Sequence, residues 1–503
     1  MRPAETAPGA VPVAGRRAPA RDVGVQPILT TLSGWGGGAG VSARVLRPRD
    51  EAAIRAAVSD CSPAGPAGPA GPRAATGAIT RGAGGAIARG MGRSYGDAAQ
   101  LAGGLVLDVT ALKGFELDEG TGTILAGAGT TIGELLHALV PAGWMVPVVP
   151  GTQHVSVGGA IASDIHGKSH ASAGTFGCHV HALGLLTAAG EVLELERGRD
   201  DELLAATIGG MGLTGVILWA RIAMLAVSSS LLSVDTDRVD SLDDALAALS
   251  GTGGPYRVAW LDLLGPRAGR GVVTRAAHLP GDAVAKGDER TGSASRGRPG
   301  GATVRARARV PERWPAGLLR TSTVLAFNAL RFARAPRRER DHPESLGAHM
   351  FPLDALRAWP RLYGPRGLLQ YQLVVPSGQE QVLHRVVERS RRARVPCFLA
   401  VLKDFGAAND APLSFPIPGW TLALDFPRAA PGLDALLDGF DELVAAAGGR
   451  VYLTKDARLA PETVSAMYPR LEQWRAIRDR VDPHRLWRSD LALRTRLISA
   501  QDR

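Results

Sequence analysis

The sequence predicts an α+β protein with two substantial domains, and three features carry that expectation. At 503 residues the chain exceeds what one core holds, because domains of about 150 residues are the usual unit. Helix-like and strand-like segments alternate through the first half in an α+β order. After Met224 a new strand-then-amphipathic-helix unit, SSSLLSVDTDRVDSLDDALAAL, marks a boundary near residue 230.

Residues 1 to about 25 read as a flexible leader, and CSPAGPAGPAGPRAATGA, from Cys61 to Ala78, reads as a Pro/Gly low-complexity insert. DEAAIRAAVSD has helical spacing, AIARG and GLVLDVT read as strands, and TTIGELLHALVPAG reads as a helix. LGLLTAAGEVLEL predicts a hairpin turning at its Ala-Gly step. Residues 281–310, rich in Gly, Arg and Ser without periodicity, read as a mobile loop. WPAGLLRTSTVLAFNALRFAR reads as a helix, either amphipathic with Arg on its polar side or packed into the core.

Composition narrows the function classes. With 45% hydrophobic and 21% charged residues the chain is globular rather than disordered or fibrous. Lys and Arg outnumber Asp and Glu by 58 to 48, and between Arg296 and Arg340 twelve Arg face only Glu312 and Glu339. That local charge suits a phosphorylated substrate or an anionic lipid surface. Nucleic-acid binding has only net charge in its favour, without aromatic-basic interleaving. Cys61, Cys178 and Cys397 are odd in number and lack ligand spacing, so neither a disulfide framework nor a zinc site is expected. The leader carries Arg16, Arg17 and Arg21 but no apolar h-region, and no uncharged apolar run reaches about 18 residues. The expected location is the cytoplasm, with peripheral contact at the inner face of the membrane as an option and the periplasm left open.

Two glycine-rich stretches carry the chemistry. RGMGRSYGDAA, Arg89 to Ala99, follows a strand, and Gly90, Gly92 and Gly96 let a tight loop bring backbone N–H groups to an anion such as a pyrophosphate. Alone it could equally be an ordinary turn, and it does not complete the nicotinamide G-x-G-x-x-G fingerprint. PGTQHVSVGGAIASDIHGKSHASAGTFGCHV, Pro150 to Val180, sets glycines 151, 158, 159, 167, 174 and 177 among histidines 154, 166, 170 and 179. Small residues beside polar ones suggest backbone wrapped around a large ligand. The His166–His170 pair encloses Gly167 and has no acidic neighbour, so no metal is expected.

In order along the chain, GRSYGD, SVGGAIASDIHGKSHASAGTFGCHV, GGMGLTGVI, QYQLVVP, PLSFPIPGW, YLTKDAR and SAMYPRLEQW resemble the decaprenylphosphoryl-ribose oxidases, flavoenzymes of the vanillyl-alcohol-oxidase type, over about residues 28–498. The resemblance implies an FAD-binding domain over 26–229, a substrate domain with an antiparallel sheet over 230–449 whose mobile basic loop covers about 281–340, and a C-terminal return, 450–503, to the FAD domain. It implies FAD held by Arg89, Gly90, Met91, Gly92, Arg93, Ser94, Tyr95, Gly96, Asp97, Ala98, Gly151, Ser156, Val157, Gly158, Gly159, Ser163, Asp164, Ile165, His166, Ile217 and Tyr452. Some relatives attach the flavin through a His in the first loop. Here that loop has none, so the implied FAD is non-covalent.

By the same resemblance the sugar pocket is Lys168, Trp260, Gln370, Gln372, Val401, Lys403, Phe405, Thr421 and Lys455, and the substrate is a polyprenyl-phosphate-linked pentose oxidised at its C2 hydroxyl. Lys455 either takes the hydroxyl proton or only hydrogen-bonds there, and His166 orients flavin or substrate. A short-chain reductase is the implied partner that consumes the keto product. Ala423 stands where the family's best-known members carry the cysteine that nitroaromatic inhibitors modify. An alditol or aldonolactone oxidase acting on a free sugar is the enzymatic alternative, and a degenerate flavin-fold binding protein is the non-enzymatic one.

Overall fold

Three main sheets organise the described residues, which are 26–61, 84–251, 253–280, 301–315 and 318–498 of the computed structural model. The leader, the Pro/Gly insert beyond Cys61 and the first part of the 281–310 stretch lie outside them. In the first sheet Ile28–Leu32 pairs antiparallel with Val41–Leu46, which runs parallel to Leu105–Asp108, itself parallel to Ala86–Arg89. The second sheet is antiparallel, in the order Phe115–Asp118, Thr123–Gly127, Val216–Ala223, Val180–Leu186, Val192–Glu196. The last two strands form the expected hairpin, with Gly190 at φ 80° in its turn.

The third sheet has eight described strands, in the order Arg338–Ser345, Leu231–Val239, Gly271–His278, Tyr256–Leu261, Leu399–Phe405, Gly419–Pro427, Leu368–Pro376, Arg450–Val451. The chain enters it at Leu231, after the composition shift at Met224. Its charged outer strand, RERDHPES, holds Pro343, features that keep a sheet edge from pairing with another chain. Arg340 on that strand reaches Asp237 at 2.7 Å, so part of the basic stretch is spent on internal ion pairs.

Leu368–Pro376 is buried on both faces. Leu369, Tyr371, Leu373 and Val375 belong to a core shared with Val382, Leu383, Val386 and Val387 of the helix Glu380–Ala393 and with Leu436, Leu437, Phe440 and Val444 of Leu433–Ala446. Those helical residues recur every three or four positions, the spacing that puts them on one face. The alternate residues Gln370, Gln372 and Val374 face the other way.

Two expectations are modified. Within 301–310, Ala308–Arg309 pairs with Leu356–Arg357 in a short parallel ladder. The later helix spans Thr321–Arg334, and it is neither simply amphipathic nor core-packed. Its buried side holds Val324, Phe332 and Asn328, whose amide donates to Asp262 at 2.9 Å, while Phe327 and Leu330 are exposed.

The C-terminal segment returns to the first sheet. The Ala86 N–H donates to the Leu486 carbonyl at 2.8 Å, and the Arg488 N–H donates to that of Ala86 at 2.9 Å. Arg494 grips both carboxylate oxygens of Asp97, at 2.9 and 2.8 Å, and also Asp456 at 2.8 Å. It thereby ties the first glycine loop to the segment that carries Lys455. Removing one member of such a cluster strands the remaining charges away from water. Arg494→Met should cost about 3 kcal/mol or more and lower the midpoint of thermal unfolding; an unchanged melting curve would contradict this role.

Candidate active site

Pairing across the eight-stranded sheet aligns the candidate side chains in rows, because directly paired residues share a face and alternate residues repeat it. One row is Trp260, Val401, Ala423 and Gln372. A second is Leu399, Asp425 and Gln370, and a third is Lys403, Thr421 and Val374. Gln370, Gln372, Leu399, Val401, Lys403 and Ala423 line one wall of a cavity whose void is about 1650 Å³ with its open mouth included.

The two glycine stretches line the rest of the cavity. Gly90, Met91, Gly92, Arg93, Ser94, Tyr95 and Ala98 line it from the first, and Gly151, Ser156, Gly158, Gly159, Ser163, Ile165 and His166 from the second, joined by Ile217, Tyr452 and Lys455. Close backbone approach explains the small residues. A Cβ at Gly90 would lie 2.2 Å from the Ser156 hydroxyl oxygen, and one at Gly96 would lie 1.7 Å from the Asp456 carbonyl oxygen.

The remaining residues of the sequence-based set are not among those lining the cavity. Arg89 braces the first loop by donating to the carbonyls of Ala99 at 2.7 Å and Ser33 at 3.0 Å. Gly96 and Asp97 form its contact with the Asp456 region. Val157 is wholly buried in the core under the second loop, and Asp164 accepts from Ser414 at 2.6 Å and Asn409 at 2.7 Å. Lys168 donates to the His349 carbonyl. Trp260 is covered by the Arg331 guanidinium, 4.9 Å above its ring. Phe405 packs edge-on against His166 at 4.9 Å, and Thr421 lies beneath Gln372.

Trp35, Thr152, Leu353, Trp359 and Thr454 also line the cavity without having been anticipated, and Asp425 lies just behind Gln370, from which it accepts at 2.5 Å. Sequence alternation carries a signal for Asp425, two residues after Ala423. Trp359 opens a short 3-10 helix, Trp359–Tyr363, too short for periodicity to mark an inward residue.

Burial sets the electrostatics, since a charge removed from water disfavours its ionised form. It pushes Lys455 down to about 7, aided by Lys403 and opposed by Asp425, and Lys403 down to about 8. It pushes Asp425 up to about 6 and takes His166 well below the usual histidine range. Lys455 lies 3.9 Å above the Tyr95 ring, so a face of the aromatic ring steadies whatever charge it carries. The cavity therefore joins a lysine able to exchange protons near neutrality to amide groups suited to hydroxyls. Among the described residues no group of His, Cys, Asp or Glu is arranged to hold a metal.

The model of an FAD binding domain matches residues 81–196, which include both glycine loops, and that of D-arabinono-1,4-lactone oxidase matches 425–495, which include Lys455. A decaprenylphosphoryl-beta-D-ribose oxidase of Mycolicibacterium smegmatis is 40% identical over 474 residues, 93% of this chain and 97% of that protein. The chain belongs to the decaprenylphosphoryl-β-D-ribose oxidase family. A Streptomyces coelicolor protein described only by its place in the mprA 5' region is 40% identical over 72% of this chain and 99% of its own length. L-gulonolactone oxidase 3 of Arabidopsis thaliana is 32% identical over 20% of this chain and 19% of its own length.

As a member of this oxidase family the protein is an FAD-dependent oxidoreductase of the α+β, two-domain vanillyl-alcohol-oxidase type. The residues present fit the cofactor. Gly90, Gly92, Gly158 and Gly159 keep the cavity wall free of side chains, and Arg93 Nε and His166 Nδ1 are buried nitrogens without a protein partner.

Ala423 lines the cavity between Val401 and Gln372, so a thiol there would face its contents. A methyl group offers no nucleophile. Mass spectrometry of the turning-over enzyme with a nitroaromatic inhibitor should show no adduct at residue 423, whereas Ala423→Cys should gain one; a stable adduct at Ala423 in the unaltered chain would refute this.

Proposed function

We propose that this enzyme oxidises the C2 hydroxyl of decaprenylphosphoryl-β-D-ribose to the 2-keto intermediate, the first half of epimerisation to the arabinose donor for cell-wall arabinan. The observation that carries the reading is one cavity lined together by the two glycine loops, by Gln370, Gln372 and Lys403 of the sheet, and by Lys455. The family relationship over nearly the whole chain supports it. When bound, FAD supplies the acceptor for the hydride that leaves C2.

The chain's own residues place the sugar and handle the proton. Gln370 and Gln372 meet ribose hydroxyls, Lys403 offers charge to the phosphate, and Val401 packs on the ring. Arg89 to Ala98, Gly151, Ser156 to Gly159, Ser163 to His166, Ile217 and Tyr452 hold or back the cofactor without a covalent link. Trp260, Phe405, Thr421 and Lys168 support the sugar wall from outside its lining. Lys455, neutral above about pH 7, takes the hydroxyl proton. A lysine base works only when deprotonated, so kcat/KM should rise with pH through about 7 and level off above it. Lys455→Met should lower kcat at least about a hundredfold while FAD absorbance persists, and a pH-independent variant at near-native rate would overturn the assignment. Turnover on a polyprenyl-phosphoryl ribose should exceed turnover on free alditols or aldonolactones; the reverse preference would support the free-sugar alternative.

A lipid-linked substrate needs access from a membrane. Among the described residues no helix is long and apolar enough to cross one. The helix Thr321–Arg334 exposes Ala326, Phe327, Ala329, Leu330 and Ala333 along one side, with Arg334, Arg337 and Arg338 exposed at its end. Apolar residues beside a basic cluster suit an anionic bilayer surface. From Phe327 an aromatic series runs through Phe398 at 4.8 Å, Tyr363 at 6.3 Å and Trp359 at 6.2 Å, and Trp359 lines the cavity. Replacing Phe327 and Leu330 by Ser should abolish co-sedimentation with phosphatidylglycerol vesicles and leave FAD binding intact; undiminished sedimentation would remove the membrane contact. The keto product calls for a reductase of the short-chain type as the next enzyme.

A further inference from the structure

Along the sugar wall a hydrogen-bond chain ends on His166. The Thr421 hydroxyl donates its only proton to the Leu373 carbonyl at 2.8 Å, so its oxygen can only accept from the next group. The Gln372 amide nitrogen lies 3.1 Å from that oxygen and 2.8 Å from His166 Nε2. An amide nitrogen has two protons and no accepting lone pair, so it donates to both. His166 Nε2 must therefore be the unprotonated nitrogen. The three side chains are no more than 7% exposed, which leaves no water to rearrange the pattern cheaply.

We propose that Thr421 and Gln372 are positioning residues that lock His166 as the neutral Nδ1–H tautomer, making it a fixed hydrogen-bond donor to the cavity's occupant and barring it from taking the substrate proton. The inference rests on the reading of this cavity as the FAD-and-sugar site. His166 lines the cavity, and its Nδ1 is buried with no protein partner, so a bound molecule is what would satisfy it. An imidazolium would turn an Nε2–H against the Gln372 amide protons. The surroundings oppose it as well: Lys403, Lys455 and His170 are the charged or titratable neighbours that disfavour its protonation, and Phe405, Phe415 and Tyr452 enclose the ring at 4.9, 5.6 and 5.1 Å. With His166 held as a donor, proton acceptance falls to Lys455.

The test is nitrogen NMR of the FAD-loaded enzyme containing ¹⁵N-histidine, with the His166 signals assigned by their loss in His166→Asn. His166 should show a protonated Nδ1 and a bare Nε2, with no titration between about pH 5 and pH 9. Gln372→Glu, whose carboxylate would accept from Nε2–H, should restore titration within that range. Thr421→Val frees the amide to turn and should populate the Nε2–H form, while Thr421→Ser should keep the native signals. A protonated Nε2 in the unaltered enzyme, or ordinary histidine titration there, would overturn the proposal even if the variants fail to fold. The readout is independent of turnover, so a wrong substrate assignment would leave the tautomer result standing.

Discussion

The site depends on backbone contact between the first glycine loop and the segment bearing Lys455. Gly96 lies so close to the Asp456 carbonyl that no side chain fits between them, and the Tyr95 N–H donates to the Thr454 carbonyl at 3.0 Å. Arg494 closes the contact by joining Asp97 to Asp456. Residues more than 350 positions apart in the chain thus become one wall, and Lys455 comes to rest above the Tyr95 ring. A shift of an ångström here would move Lys455 relative to the first loop, a scale at which catalytic geometry is already lost.

Sheet register does the corresponding work on the other wall. Because alternate residues of three neighbouring strands share a face, Gln370, Gln372, Val401, Lys403 and Ala423 meet without any loop having to place them. The opposite face of Leu368–Pro376 is anchored in the largest described core, so the polar residues ride on a rigid support. That support holds Thr421, Gln372 and His166 within hydrogen-bond distance of one another, at 3.1 and 2.8 Å. Lys403 and Lys455 line the reacting region, and two buried carboxyls stand next to it, Asp425 accepting from Gln370 at 2.5 Å and Asp354 accepting from Thr152 at 2.8 Å.

Much of this was legible in sequence, for physical reasons that differ by region. Periodicity marked the helix at Glu51–Cys61, which buries one face, and the Ala-Gly turn marked the hairpin of Val180–Leu186 with Val192–Glu196. Glycine density marked both loops, since close backbone approach excludes other residues. The helix Thr321–Arg334 was harder, because its pattern is inverted in part: Asn328 is inside, bonded to Asp262, and Phe327 and Leu330 are outside. Lys168 and Trp260, assigned to the sugar pocket by resemblance, are not among the lining residues; Lys168 donates to the His349 carbonyl, and the Arg331 guanidinium lies over the Trp260 ring. The reach of Arg494 to Asp97 could not be read at all, since no local rule pairs charges across so much chain.

The most direct measurement is anaerobic flavin reduction in a single turnover with decaprenylphosphoryl ribose carrying deuterium at C2. Hydride departure from C2 predicts that the flavin band bleaches markedly more slowly than with the unlabelled substrate. Bleaching at equal rates, with slowing instead by deuterium at another carbon, would contradict oxidation at the C2 hydroxyl, and absence of bleaching would contradict the substrate itself.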